Sequence, residues 1–382
     1  MAPAYGGPVQ ALRTYAAWLS AAGEDVTVCT TNRDIPKGII PGSVGIPMQE
    51  DGFTLWRFRT DFHRYAYSRQ MGRWLQENIS DFDVVHIHGL YRYPPIAAAR
   101  QARTHDVPYI MRPFGSLDPY LYNKAERRGF KRLHELLFDF PALNSASAIQ
   151  YTANEEMLLA KPLGLRAPAA IIPIGLDSNI FKRADLDGRM RRSLGIGNRP
   201  LVLFFGRLAQ KKGLDISSQA FAQVRDKIPD AVFVVAGPDN DGFKPQIEKW
   251  LDEAGVRSST IFPGMVTGED RIALLRDADL FVLQSYTENF GISVVEALAA
   301  ETAVVISDRI NLWPDIAEYN AGLITPCEAS LAAEAMLKVL QDRDLRIQMI
   351  RGGDRLLKER YSRDAVVRQL LSLYHRVRRS GS

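Results

Sequence analysis

The sequence predicts an α/β protein made of two doubly wound, Rossmann-like domains facing each other across a cleft. Three observations carry this. Short apolar runs alternate with helical patterns through both halves, one polar and weakly periodic stretch interrupts the alternation, and 382 residues suffice for two cores of ordinary size. Repeated strand–helix alternation gives parallel sheets, whose ligands bind beyond the carboxyl ends of the strands. The expected division is a first domain over 1–178, a connection over 179–198 and a second domain over 199–362. A final helix over 363–379 is expected to pack back on the first domain.

Taken in order, the chain opens as a loop, and Val9, Leu12, Ala16 and Leu19 then share one face of a helix running to about Ala22. A strand from Val26 to Cys29 leads into a Gly- and Pro-rich stretch, Ile35 to Pro47, whose composition resists regular structure. Phe53 to Arg59 alternates as a strand, Tyr65 to Ile79 reads as a helix, and Asp83 to Gly89 reads as a strand ending in a glycine turn. A helix follows from Ile96 to His105, then a strand from Tyr109 to Arg112 that stops at Pro113. A basic helix and two further strands, Ala148 to Tyr151 and Ala170 to Pro173, complete the first half. From Leu201 strands recur near Leu201–Phe205, Val232–Ala236, Thr260–Phe262, Leu280–Leu283, Ala303–Ile306 and Gly322–Ile324, with helical patterns between them.

Composition excludes several classes. Lys and Arg number 48 against 44 Asp and Glu, and a net charge of +4 is too small to predict a nucleic-acid partner. Cys29 and Cys327 show neither pairing pattern nor metal-ligand spacing, which suits a reducing, cytoplasmic compartment. No stretch approaches the ~20 apolar residues of a spanning helix. A dinucleotide-dependent dehydrogenase is disfavoured, because no G-x-G-x-x-G follows any strand.

Two stretches of the second half carry chemistry. Ser285 to Glu296 follows a buried strand and leads into a helix, and the free N–H groups of a helix start, with the helix dipole, make an anion site. Gly291 lets the backbone approach a ligand, while Glu288 before the helix and Glu296 inside it are placed to bind hydroxyls. The run Phe204 to Gly213 is a buried strand ending at Gly206 and followed by Arg207 and Lys212. A guanidinium fork and a point charge at that position suit a diphosphate.

Gly206-Arg207-Leu208 with Lys212-Gly213, followed by Glu288 and Glu296 framing Asn289-Phe290-Gly291, resembles the retaining glycosyltransferases of family 4, group 1 glycosyltransferases with the two-domain GT-B fold. The resemblance covers nearly the whole chain. It implies that Arg207 and Lys212, beside Gly206, hold the diphosphate of a sugar nucleotide and stabilise the leaving group. Asn289, Phe290 and Gly291 would offer backbone groups, and Glu288 its side chain, to the β-phosphate and the sugar hydroxyls. Glu296 would accept from the ribose, and the turn at Val266 would border the base. In the first half, Gly6 and Gly7 would bring backbone close to the donor phosphate, and His88, at a strand end, would lie near the reacting sugar. Family members begin with a buried strand before the Gly-Gly loop. Here the sequence opens inside that loop, so the first domain is expected to lack its first strand.

The implied reaction is retaining transfer of a hexosyl group from a UDP- or GDP-sugar to a glycan or polyprenyl-linked acceptor. Its setting would be cell-surface polysaccharide biosynthesis, exopolysaccharide or lipopolysaccharide. No cofactor is expected, and no metal: Asp81 with Asp83, and Asp277 with Asp279, precede strands and so sit at the end opposite the ligands, and Asp342 with Asp344 joins two helices. The basic helix over 124–138 suits peripheral association with an anionic membrane at its inner face, and its Phe130, Leu133 and Leu137 face suits packing on the domain core equally well. Two rival readings are a sugar-nucleotide epimerase on the same fold and a non-catalytic sugar-nucleotide-binding subunit.

Overall fold

The computed structural model describes residues 7–34, 38–119 and 128–379. The chain divides into two compact units, Met1–Gly175 with Arg363–Ser382, and Leu176–Ser362.

The first unit holds seven strands among the described residues: β1 Thr27–Thr31, β2 Pro47–Glu50, β3 Phe53–Phe58, β4 Val85–His88, β5 Tyr109–Arg112, β6 Ala148–Tyr151 and β7 Ala169–Ile171. They form two sheets rather than one, ordered β1-β3-β2 and β4-β5-β6-β7, the latter wholly parallel. β2 pairs antiparallel with β3 through a turn at Asp51 and Gly52, whose φ values of 48° and 88° are both left-handed. An Asp-Gly pair is the sequence signal for that two-residue hairpin.

Among the described residues, β1 and β4 each stand at the edge of their sheet. Each of the two leaves one edge unpaired, and a cavity of about 1690 Å³ runs along both. The helix Gly7–Ala21 ties the two sheets together. Its Ala16 packs with Val28, Phe53 and Leu55, while Tyr15 and Leu19 pack with Ile110 and Ala148 and with Val366, Leu370, Leu373 and Val377 of the helix Arg363–Arg379. Burying each large apolar side chain contributes roughly 2 kcal/mol. On the opposite face, Met71 and Leu75 of the helix Arg69–Asn78 join Ala98 and Ala102 of Tyr93–Thr104 over Ile87 and Met111.

The second unit is a single parallel sheet of β8 Leu201–Phe205, β9 Val232–Ala236, β10 Thr260–Gly264, β11 Leu280–Leu283, β12 Val304–Ser307 and β13 Gly322–Thr325. Its order is β10-β9-β8-β11-β12-β13, so the chain winds outward from β8 in one direction and from β11 in the other. Ligands of doubly wound sheets bind where that order reverses, beyond the carboxyl ends of the two central strands. β8, β9, β11 and β12 are almost entirely buried, which explains their continuous apolar runs.

The 179–198 stretch lies inside the second unit rather than bridging two domains. Phe181, Leu186, Met190 and Ile196 are buried there. Asp277 accepts from the backbone N–H groups of Gly188, Met190 and Arg191 at 2.5, 2.8 and 3.0 Å, which pins the segment to the helix Gly268–Asp277.

Candidate active site in the second unit

The two chemically suggestive stretches leave the sheet at β8 and β11, the strands that flank the switch point. After β8, Gly206 donates to Ala236 O at 2.9 Å and Leu208 to Pro238 O at 3.0 Å, so the loop carrying Arg207 is held along β9. A 3-10 turn, Gln210–Lys212, ends at Gly213 with φ 63°. A Cβ on Gly213 would stand 1.8 Å from the Gln284 carbonyl, so only glycine lets this turn lie against the loop after β11. Tyr286 N donates to Lys211 O at 2.9 Å and closes the contact.

The Glu288 backbone is fixed from the other side. It donates to Arg309 O at 3.1 Å and accepts from Asn311 N at 3.0 Å. Its carboxylate, 17 % exposed, pairs with Lys212 Nζ and lies 3.7 Å from Lys211 Nζ. Burial pushes the Glu288 pKa up, but Lys212, Lys211 and Arg207 outweigh burial and hold the carboxyl below its ordinary value. Glu288 is therefore an anion at neutral pH, enclosed by three cations. Lys211 is the member of this group that the sequence reading passed over, although it adjoins Lys212.

Gly291, at φ 76°, opens the helix Ile292–Ala299. Phe290 is 3 % exposed and meets the Tyr361 ring edge-on at 5.5 Å, so its side chain anchors the loop and only its backbone remains for a ligand. Asn289 is half-buried beside it. Glu296 projects from the same helix with 7 % exposure, and Arg271 of the helix Gly268–Asp277 donates to its Oε1 at 2.9 Å. Burial raises the Glu296 pKa above its ordinary value, and Arg271 opposes part of that rise. Arg271 gave no signal in the sequence, because it pairs with Glu296 across 25 positions. Val266 follows β10, two strands from β8, and is buried at 9 % exposure, whereas its neighbour Met265 is 69 % exposed.

Arg207, Lys212, Glu288, Asn289, Phe290 and Gly291 thus belong to one neighbourhood at the switch point, with Glu296 one helical turn further on. The remaining expected residues belong to the first unit. Gly6 lies outside the described residues, and Gly7 is the first residue of its helix. His88 ends β4, with its ring 4.4 Å from that of His86 and 5.5 Å from that of Phe114. Burial, then the charges of His86 and Arg112, lower the His88 pKa well below its ordinary value, and burial and Arg112 bring His86 down to about 3. Both imidazoles are neutral at physiological pH and offer hydrogen bonds rather than charge.

The paired aspartates have structural partners. Asp83 meets Arg378 at 2.9 Å, Asp279 accepts from Arg191 at 2.7 Å and from Leu201 N at 2.8 Å, and Asp342 caps the helix Arg343–Leu356 through Leu345 N at 2.9 Å. Among the described residues no three His, Cys, Asp or Glu side chains group as metal ligands.

Comparison with known proteins extends this neighbourhood to the whole chain. The model of the glycosyl transferases group 1 family matches residues 188–355, and that of the glycosyl transferase 4-like domain matches residues 6–175. The alpha-D-kanosaminyltransferase of Streptomyces kanamyceticus is 30 % identical over 207 residues, 53 % of this chain and 53 % of its own length, so the match spans about half of that relative. The phosphatidyl-myo-inositol mannosyltransferase of Mycolicibacterium smegmatis is 26 % identical over 373 residues, 95 % of this chain and 88 % of its own length. Among solved structures, Anabaena HepE in complex with UDP and glucose superposes with a TM-score of 0.75 at 17 % identity, covering 97 % of this chain and 96 % of that one. Both halves match glycosyltransferase models and the fold is shared along the length: the chain belongs to the group 1 glycosyltransferases of family 4, enzymes of the GT-B fold.

Proposed function

We propose that the protein transfers a hexosyl group from a UDP- or GDP-sugar to a glycan or polyprenyl-linked acceptor, with retention of configuration and without a metal, in the assembly of a cell-surface polysaccharide. The observation that carries this reading is the enclosure of Glu288 by Lys212, Lys211 and Arg207 at the point where the second sheet reverses its order. A donor diphosphate entering there exchanges one anionic partner for another. The cations then face the phosphate oxygens, and Glu288 is left to accept from sugar hydroxyls.

In the reaction the bond from the anomeric carbon to the β-phosphate oxygen breaks, and the acceptor oxygen bonds to the same face of that carbon. The acceptor proton passes to the departing phosphate oxygen. Negative charge grows on the diphosphate as the bond breaks, so fixed cations stabilise the transition state more than the ground state. Glu296, kept in place by Arg271, serves the ribose hydroxyls. His88, being neutral, orients through a hydrogen bond.

Leu133 of the helix Arg128–His134 and Leu136, Leu137 and Phe138 of the turn that follows it are 54, 65, 56 and 44 % exposed, which favours peripheral membrane binding by this segment over burial of its apolar face in a core. No helix among the described residues is long and apolar enough to cross a membrane. Residues 124–127 of the expected basic helix lie outside the described residues.

The test is thermal protection by a panel of UDP- and GDP-sugars, followed by incubation of the protecting one with and without glycan acceptors. Sugar transfer with free nucleoside diphosphate as co-product is expected. An isomerised sugar nucleotide, formed with no acceptor present, would replace the transferase reading with that of an epimerase.

A further inference from the structure

The first unit holds a buried polar row on one face of its four-stranded sheet. Arg112 ends β5 and is the Cα partner of His88 on β4. On the other side Ile110 and Met111 pair with Ala148 and Ile149, and Gln150 comes next on β6. Alternation turns Arg112 to the same face as Ile110, the face covered by Tyr15 of the helix Gly7–Ala21 and Tyr374 of the helix Arg363–Arg379. Arg112 is 0 % exposed, and its Nε and both Nη atoms have no hydrogen-bond partner among the described residues. Its Cζ stands 4.6 Å from the centre of the Tyr15 ring and 4.3 Å from that of Phe114. Ring faces attract a cation, yet they leave the N–H donors of the guanidinium unmatched. A charge taken fully out of water without a counterion is among the costliest groups a fold can hold.

The neighbours of Arg112 add hydrogen-bonding groups and no countercharge. His86 and His88 stack at 4.4 Å, and His86 Nε2 and His88 Nδ1 are buried without partners among the described residues. When the Tyr374 hydroxyl donates to His86 Nδ1, at 2.9 Å, Nε2 carries the ring proton and becomes a further donor. The Tyr15 hydroxyl is committed to Pro173 O. Gln150 donates to Ile172 O at 2.9 Å, and its unpartnered Oε1 is a neutral acceptor. We infer that Arg112 anchors a buried site for one small monovalent anion of the halide class, with the imidazoles of His86 and His88 beside it. The cavity lined by Tyr15, His86, His88, Phe114 and Tyr374 gives the ion a way in. One negative charge balances the one cation, because burial holds both imidazoles neutral. A phosphate dianion would leave charge uncompensated in the interior.

The test is calorimetric melting of the full chain at fixed ionic strength while sodium chloride replaces sodium gluconate, whose anion is too large to enter. The melting temperature should rise saturably, by about 3 °C or more at tenfold excess over half-saturation. In gluconate alone Arg112→Met should melt at or above wild type, since it removes an uncompensated buried charge, and chloride should not move it. Arg103→Met, which removes an exposed cation of the same unit, should keep the wild-type response. Phosphate at the same ionic strength should protect no better than gluconate. The inference is overturned by equal melting in chloride and gluconate, by an equal chloride response in Arg112→Met, or by protection from phosphate that matches or exceeds that from chloride. Should Arg112→Met fail to fold, the chloride-35 line width of wild type decides. Saturable broadening that bromide competes away supports the site, and its absence overturns it.

Discussion

Arg271 donates to Glu296 Oε1 at 2.9 Å, and this one contact holds in place a carboxylate that burial would otherwise favour as a neutral acid. A folded-state pKa above the unfolded value means that the folded chain holds the proton more tightly. Stability therefore falls as pH rises through the interval between the two values. Arg271→Met widens that interval. The variant should lose melting temperature relative to wild type between pH 5 and 8, and the pH below which UDP binding weakens should move upward. Calorimetric UDP binding across that range is the measurement, and a profile superimposable on wild type would remove Arg271 from this role.

The sign reverses at Glu288, whose pKa is held down by cations against the effect of burial. Its contribution to stability is present above the ordinary carboxylate range and is lost as pH falls through the folded value. Lys212→Met strips away the principal cation and leaves Lys211 at 3.7 Å. We expect transfer to fall about 100-fold or more and stability to fall by up to about 3 kcal/mol. Lys212→Met/Glu288→Gln should recover much of the stability in urea titrations and none of the activity. Equal destabilisation of the single and double variants would show that the pair is not the cause.

His88 should behave as a neutral side chain throughout the physiological range. Its proton resonances, and those of His86, are expected not to titrate between pH 5 and 8. His88→Gln should lower turnover by the same factor at both ends of that range. A factor that grows toward low pH would assign His88 a charge that its burial argues against.

Gly213 is a backbone requirement. Alanine there meets both a left-handed φ of 63° and the Gln284 carbonyl at 1.8 Å. The combined cost is about 3 kcal/mol, or a melting shift of roughly 6–12 °C in a unit of this size. Differential scanning calorimetry reads it, and weaker UDP binding should accompany it because the turn carries Lys211 and Lys212.

The second sheet is easy to read in the sequence because β8, β9, β11 and β12 are buried on both faces, so each appears as a nearly unbroken apolar run. The basic turn and the Glu288–Glu296 helix start are equally legible, since local spacing defines them. Where partners are distant the reading fails. The 179–198 stretch resembles a connection because Phe181, Leu186, Met190 and Ile196 occur singly, and Asp277, which holds the backbone of Gly188, Met190 and Arg191, is some 90 positions away in the chain. β2 is hidden because it is half exposed and opens with a proline, although the Asp51-Gly52 pair after it announces a hairpin. Arg271 is a helix arginine like any other until folding brings Glu296 beside it.

Leu370, fully buried, sits in a core with Tyr15, Leu19 and Ile110. Leu370→Ala should cost about 3 kcal/mol. Hydrogen exchange should quicken in the helix Gly7–Ala21 and in β5, with β8 to β13 unaffected. Quickening confined to β8 to β13 would contradict the assignment of this helix to the first unit.

That packing has a consequence for how the protein is made. The residues of the helix Gly7–Ala21 wait for those of the helix Arg363–Arg379, which emerges only after β13 is complete. At roughly 5–20 residues per second, the apolar face of the helix Gly7–Ala21 stays uncovered for roughly 20–70 s of synthesis. The later unit can fold first. Nascent chains therefore pass through a state in which the earlier half is the natural client of a chaperone, and a chain cut short before Arg363 would leave that half without the helix that covers it.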